Sequence, residues 1–112
     1  MDGLIIKKPW IDKILSGEKT WELRGSATHK RGQIALIESG SGLVVGEVKL
    51  VNCLGPLTQN QFESNVKKHC SSHSFLEISY KKVYAWVFEK PFRYKEPKPY
   101  KHPPGAIIWV KL

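Results

Sequence analysis

Short runs in which apolar and polar residues alternate constrain this chain most, because a period of two is typical of half-buried β-strands. In "KTWELR", Trp21 and Leu23 lie on one face of such a strand, and Glu22 and Arg24 lie on the other. The other strand-like runs are GLII, QIALIES, LVVGEVKLVNCL, KKVYAWVFE and GAIIWVKL. So many strands in 112 residues predict one domain, residues 1–112, built as a small twisted barrel of about five to six strands.

Helix signals separate these strands. Pro9 suits the first position of a short helix after the first strand. In mid-chain, Thr58 and Gln61 form a capping box that predicts the start of a longer helix. Its buried stripe would contain Phe62 and Val66. The predicted fold class is therefore α+β.

Positive charge is concentrated in the last third of the sequence. The net charge is +8, and residues 81–112 contain 8 basic and only 2 acidic side chains. Five prolines between residues 91 and 104 rule out a central strand there and predict an extended loop or a sheet edge. Rings and cations interleave in this segment, Tyr100 and Lys101 among them, as in contact surfaces for single-stranded RNA, although a solvated loop has a similar composition. A basic surface attracts polyanions and also serves solubility.

Other features of the sequence exclude several classes of protein. No apolar run reaches the length of about 20 residues that spans a bilayer, and the first residues lack the pattern of a signal peptide. We therefore expect a cytoplasmic protein without membrane association. Two cysteines, Cys53 and Cys70, are too few for a disulfide framework. Their spacing from His69 and His73 lacks the paired blocks of zinc sites, so neither a metal site nor a cofactor is predicted.

The stretch "SGEKTWELRG" places three charged residues around a tryptophan. In an extended strand Glu22 and Arg24 point the same way, and Lys19 can join them from the turn that precedes the strand. Such a corner brings an ammonium, a carboxylate and a guanidinium to one rim. The group is either an ordinary surface ion pair or a polar cluster that binds or cuts a ligand.

This corner resembles the opening motif of the activating signal cointegrator homology (ASCH) domain, a PUA-like family with the pattern G-x-K-x-x-E-x-R. Here the pattern reads Gly17-x-Lys19-x-x-Glu22-x-Arg24, with Trp10 in the helix before it. The likeness continues through "HKRGQIALI", "VVGEVKLVNCLGPLTQNQF", "VYAWVFEKP" and "GAIIWVKL", and so covers nearly the whole chain. It implies a small PUA-like β-barrel with helices at its rim. It also implies a cleft, lined by the Lys-Glu-Arg motif, for RNA or a modified nucleoside.

The resemblance also implies two kinds of hydrolase. Small bacterial members that resemble this chain include amidohydrolases of 4-acetylcytidine, whose reaction is assigned to a lysine, a threonine three residues later and a distant glutamate. Here the lysine is Lys19, the threonine position is Glu22, and the distant glutamate has no match. In such a hydrolase Glu22 would act as a general base on water while Lys19 stabilises an oxyanion. Other members are metal-dependent ribonucleases, in which a divalent metal ion would be the cofactor. His69 and His102 would then be the acid–base candidates.

Binding of RNA or of a modified nucleoside is the main hypothesis; hydrolysis of RNA or acetylated cytidine is the alternative, and a basic adaptor for a protein partner is the third. The candidate ligand-binding residues are Trp10, Lys19, Glu22, Arg24, His69, Tyr100, Lys101 and His102. The candidate catalytic residues are Lys19 and Glu22. In the main hypothesis Lys19 and Arg24 meet a phosphate or a base edge, and Glu22 accepts a hydrogen bond from an exocyclic amine.

Overall fold

Six strands account for the alternating runs of the sequence. In the computed structural model, which describes residues 1–112, they are β1 (Asp2–Ile6), β2 (Trp21–Arg24), β3 (Gly32–Glu38), β4 (Leu43–Leu54), β5 (Tyr84–Pro99) and β6 (Trp109–Lys111). They form one sheet in the order β2-β5-β4-β3-β1-β6. β1 and β3 are parallel, whereas every other pair of neighbours is antiparallel.

The sheet is curled so strongly that its two edges approach each other. Trp86 of β5 stacks on Trp109 of β6 with ring centroids 5.7 Å apart, although three strands lie between them. In a flat sheet, four interstrand steps would separate β5 from β6 by about 19 Å. Arg24 of β2 donates a hydrogen bond of 3.1 Å from Nη2 to the carbonyl oxygen of Ile5 in β1. The predicted α+β barrel is therefore confirmed as a curled half-barrel, and we call the junction between β2 and β1 the seam.

Both faces of the sheet are buried, which explains why β5 is apolar on both sides. On the inner face, Trp86 and Phe88 join the largest cluster of buried side chains, in agreement with the alternation of the sequence. On the outer face, Trp21 and Ala85 pack with Phe62. A further outer cluster lies on β3, β4 and β6, and its buried members are Ala35, Ile37, Val44 and Val110.

The helices are short. They are α1 (Trp10–Leu15), α2 (Gln59–Glu63), α3 (Val66–His69) and a 3₁₀ turn (Phe75–Glu77). The predicted capping box of Thr58 and Gln61 is present at the start of α2. The expected longer helix is divided in two, because Asn65 has φ −121° and ψ 26°, outside helical geometry. Phe62 is buried as predicted, but Val66 is 46% exposed because it starts a separate helix.

No helix of the protein combines the length and the apolar character needed to cross a membrane.

The proline-rich segment is mainly strand rather than loop. Residues 91–99 form the second half of β5 and pair with β4 alone, from Glu47 opposite Phe92 to Leu43 opposite Pro99. β2 pairs only with the first half of β5, so the other side of this segment is an open edge. Prolines are tolerated there because an open edge needs no donated hydrogen bond. The predicted sheet edge is confirmed for this part of the segment.

Candidate functional site

A sharp turn after α1 carries Lys19 back toward the barrel. Gly17 has a φ of +85°, a conformation that glycine adopts at little cost, and so it can end the helix. The Lys19 amide then donates a hydrogen bond of 3.0 Å to the carbonyl oxygen of Lys13. This closure points the Lys19 side chain inward just before β2 begins.

The ammonium of Lys19 is buried, because only 4% of this residue is exposed. Its Nζ donates hydrogen bonds of 2.5 Å to the carbonyl oxygen of Trp21 and of 2.6 Å to that of His69. The same Nζ lies 3.6 Å from Oε1 of Glu22 and 5.6 Å from the ring centroid of Trp10. Burial lowers the pKa of Lys19, and the negative charge of Glu22 opposes that shift.

Glu22 and Arg24 complete the cluster. Arg24 donates two hydrogen bonds to Oε2 of Glu22, one of 3.1 Å from Nε and one of 2.9 Å from Nη2. The guanidinium carbon lies 5.5 Å from the ring centroid of Trp86, and Nη2 also bonds to Ile5 across the seam. The structure therefore brings Lys19, Glu22 and Arg24 into one network at the place where the barrel closes.

Two atoms of this network have no hydrogen-bond partner within the protein. Oε2 of Glu22 accepts both bonds from Arg24, while Oε1 accepts no hydrogen bond and is ion-paired with the Lys19 ammonium at 3.6 Å. Nη1 of Arg24 donates none, because its partners are reached through Nε and Nη2. No side-chain nitrogen or oxygen without a partner is sealed from solvent. The cluster therefore keeps one carboxylate oxygen and one two-proton donor that make no hydrogen bond within the protein.

These atoms line a cleft of about 610 Å³ over the seam. One wall comes from β1 and the residues after it, the other from β2 and the loop that follows α3. The lining includes Ile5, Ile6, Lys7, Trp10, Leu23, Ser39, Ser71, His73, Glu77, Ile78, Ser79, Tyr80 and Ile107 in addition to the cluster. A hollow of this size is typical of small-molecule sites.

Comparison with known proteins identifies the family. The family model of the ASCH domain matches residues 4–98. The chain belongs to the ASCH family. No curated protein matches the chain.

Solved structures agree with this assignment at the level of the fold. ASCH from Zymomonas mobilis is similar with a TM-score of 0.66 and 14% identity, over 82% of this chain and 68% of that chain. A serine-to-alanine variant of ZmASCH gives a TM-score of 0.72 and 17% identity, over 99% of this chain and 87% of that chain. A tyrosine-to-phenylalanine variant of ZmASCH gives a TM-score of 0.72 and 16% identity, over 99% of this chain and 88% of that chain. The predicted ASCH, PUA-like fold is confirmed.

His69 presents its backbone, rather than its ring, to the cluster of this ASCH domain. The ring is fully buried and stacks on Phe62 at 4.2 Å between centroids. Nδ1 accepts a hydrogen bond of 3.0 Å from the Ser71 amide, so Nε2 carries the proton and donates at 2.8 Å to the Phe62 carbonyl oxygen. Both ring nitrogens are therefore occupied, and the carbonyl oxygen of His69 binds Lys19.

The residues predicted from the end of the chain do not reach the cleft. Trp10 lines it, but Tyr100, Lys101 and His102 do not. Tyr100 and Lys101 line a separate hollow. His102 braces its own loop, with Nδ1 2.7 Å from the Tyr100 hydroxyl and Nε2 2.9 Å from the Ala106 carbonyl oxygen.

Sequence reasoning missed one wall of the cleft. Residues 71–80 supply Ser71, His73, Glu77 and Tyr80, although the local signal of this loop, a capping box of Ser74 and Glu77, indicates a helical turn and not a site. The Tyr80 ring lies directly on Gly25, where an added Cβ would be 2.8 Å from Cδ1 of Tyr80. The glycine that follows the G-x-K-x-x-E-x-R pattern was the one signal for a close approach at this point.

Histidine, cysteine and carboxylate side chains form no group of three or more that could hold a metal ion. The residues present therefore do not fit the divalent metal of a ribonuclease.

Proposed function

We propose that this ASCH domain, located in the cytoplasm, binds RNA or a nucleoside by holding one base in the cleft over the seam. The observation that carries the proposal is the pair of open atoms, Oε1 of Glu22 and Nη1 of Arg24. Each belongs to a side chain that other contacts hold in place. The site is therefore preorganised, and a ligand meets an acceptor and a donor on side chains with fixed positions.

This pair favours a base edge that carries a donor beside an acceptor. The exocyclic amine of cytosine donates, and the neighbouring ring nitrogen accepts, so cytosine can bond to Glu22 and Arg24 together. Uracil has a carbonyl oxygen in place of the amine and would oppose it to the Glu22 carboxylate. We therefore expect the cleft to prefer cytidine over uridine.

Rings and cations in the walls support the same function. Trp10 is half-buried and Tyr80 is 44% exposed, so each offers ring surface to a base. Stacking on such rings contributes about 1–3 kcal/mol for each base. Lys7 lines the cleft without an acidic partner and is available to a phosphate.

Hydrolysis is the second candidate, and the lowered pKa of Lys19 is the observation that favours it. In the resting site, however, the Lys19 ammonium already donates to the carbonyl oxygens of Trp21 and His69 and is paired with Glu22 at 3.6 Å, so an oxyanion would compete with Glu22 for the third proton. Incubation with 4-acetylcytidine and with single-stranded RNA, with and without Mg²⁺, tests this candidate. Formation of cytidine or of shorter RNA that is lost in the Glu22→Gln variant would establish it.

A calorimetric titration with cytidine and with uridine tests the binding function. We expect cytidine to bind about tenfold more tightly, since one base-edge pair contributes about 1–3 kcal/mol of discrimination. In Glu22→Gln the side-chain amide oxygen can accept the hydrogen bonds from Arg24. The amide nitrogen then takes the position of Oε1, so a donor replaces the acceptor there. The ratio of the two affinities should then shift toward uridine.

Glu18→Gln is the matched control, because Glu18 pairs with Lys13 at the surface and does not line the cleft. This variant should keep the preference of the unmodified protein. Equal affinities for the two nucleosides, or an unchanged ratio in Glu22→Gln, would contradict the proposed contacts. Failure to bind either nucleoside or RNA would favour the protein adaptor.

A further inference from the structure

A second hollow, of about 510 Å³, lies on the outer face of the sheet. Its floor contains Ala35 and Val44, which belong to the outer cluster, whereas Ile6, which lines the cleft, belongs to the inner one. The end of β5 and the last residues of the chain form its walls. The two hollows share no lining residue.

Three lysines surround this hollow without ion pairs. They are Lys98 on β5, Lys101 in the following loop and Lys111 on β6, and none has a carboxylate within 4.0 Å of its ammonium. No Asp or Glu side chain lines the hollow. The nearby acids are already bound, since Glu47 accepts hydrogen bonds from Tyr94 and Gln33.

Aromatic rings stand among these cations. Tyr94 and Tyr100 line the hollow and are both half-buried. Their hydroxyl groups are tied down, Tyr94 to Glu47 at 2.5 Å and Tyr100 to His102 at 2.7 Å, so the rings have fixed positions. A rigid ring loses little conformational freedom when a base stacks on it.

We propose that the outer basic surface, formed by Tyr94, Lys98, Tyr100, Lys101 and Lys111, binds single-stranded RNA. The lysines contact phosphates, and Tyr100 offers ring surface to an unpaired base. The Lys98 ammonium lies 4.9 Å from the ring centroid of Tyr94, so Tyr94 holds this cation at the surface. A duplex would keep its bases stacked within the helix, so the rings favour a single strand. This inference rests on the proposed function only for the choice of RNA, because the surface and the cleft are separate.

Fluorescence anisotropy with a labelled oligouridylate of about eight nucleotides tests the outer basic surface. Uridine is the base that the cleft should disfavour, so this probe reports mainly on the outer face. The variant Lys98→Ala/Lys101→Ala/Lys111→Ala is compared with Lys81→Ala/Lys82→Ala/Lys95→Ala. The second set removes the same charge from exposed lysines that line neither hollow.

We expect the first triple variant to weaken binding by at least about tenfold at low salt. The slope of log affinity against log salt should fall by about 2, since each phosphate contact to a single strand contributes about 0.7. The control triple should change the affinity by less than about twofold and keep the slope. Equal losses in the two variants would mean that only net charge matters and would overturn the proposal, as would no binding to the unmodified protein.

Three further measurements separate RNA binding at this surface from attraction of any polyanion and from binding at the cleft. Tyr100→Phe should retain affinity for the oligouridylate, while Tyr100→Ala should lose affinity without a change of the salt slope. An equal loss of affinity in both variants would argue against stacking. Cytidine binding should remain in the lysine triple variant, so failure here is distinguishable from failure at the cleft. Polyglutamate that competes as well as RNA at the same charge concentration would point to an acidic protein partner and overturn the proposal.

Discussion

At Lys19 the protein buries a charge and satisfies it with fixed partners. Two carbonyl oxygens and one carboxylate surround the ammonium, and they come from β2 and from the end of α3. The Lys19 contact to His69 joins residues 50 positions apart in sequence. The lysine of the family pattern therefore links the turn before β2 to the helices that cover the outer face.

Removing this ammonium should destabilise the protein strongly. Lys19→Ala would leave Glu22 without its second cation and two buried carbonyl oxygens without a donor, so we expect a loss of about 3–5 kcal/mol in the free energy of unfolding. Denaturant titration measures this loss. Lys13→Ala removes a surface ion pair and should cost less than about 1 kcal/mol. A similarly small effect of Lys19→Ala would contradict the structural role.

His69 makes stability depend on pH. Burial lowers its pKa from 6.5, and the positive charge of Lys19 adds to that effect, while the hydrogen bond to Phe62 opposes it. Between the folded-state pKa and 6.5 the unfolded chain binds more protons than the folded chain. The free energy of unfolding should therefore decrease as pH falls below about 6.5.

Denaturant unfolding at several pH values between neutral and mildly acidic checks this dependence. His69→Gln should lower stability at neutral pH and flatten the dependence in that window. His73→Gln changes an exposed residue and should keep the pH dependence of the unmodified protein. The same pH dependence in His69→Gln as in the unmodified protein would assign the titration to another group.

At the scale of elements, the strands were predictable because alternation and turn residues are local signals. The runs "LVVGEVKLVNCL" and "KTWELR" agree with β4 and β2 to within two residues. The division of the mid-chain helix was not predictable in this way. Val66 lies four residues after Phe62, as in a continuous buried stripe, but the chain turns at Asn65 so that His69 can reach Phe62. The contact between His69 and Phe62 belongs to the tertiary packing, which the local sequence pattern does not contain.

The contact between β2 and the loop of residues 71–80 should control the shape of the cleft. In Gly25→Ala the new methyl group would displace the Tyr80 ring, because its position is 2.8 Å from Cδ1. We expect nucleoside affinity to fall by up to about tenfold, because a tenfold loss corresponds to one lost stacking contact. The free energy of unfolding should change by less than about 1 kcal/mol, since Tyr80 lies at the surface.

Calorimetric titration with cytidine together with denaturant unfolding measures both quantities. Ser26→Ala alters the next, exposed residue and should leave affinity unchanged. Unchanged affinity in Gly25→Ala would show that Tyr80 does not contribute to binding.

At the scale of the whole molecule, the curl of the sheet assembles the site. Lys19, Glu22 and Arg24 are close in sequence, so their association was predictable from one short motif. Ile5 and Tyr80 join them only because the seam closes and the loop after α3 folds over it. Tyr100 and Lys101 share the basic character of an RNA contact but lie on the other face. Composition does not distinguish the two faces of a sheet.

The central claim is that the open atoms of Glu22 and Arg24 hold a base in the cleft, and the structure of the protein with bound cytidine tests it most directly. We predict the exocyclic amine within hydrogen-bond distance of Oε1 of Glu22, the ring nitrogen at Nη1 of Arg24, and the base beside Trp10 or Tyr80. Cytidine on the outer basic surface with the cleft empty, or in the cleft with its sugar rather than its base against Glu22 and Arg24, would contradict the account.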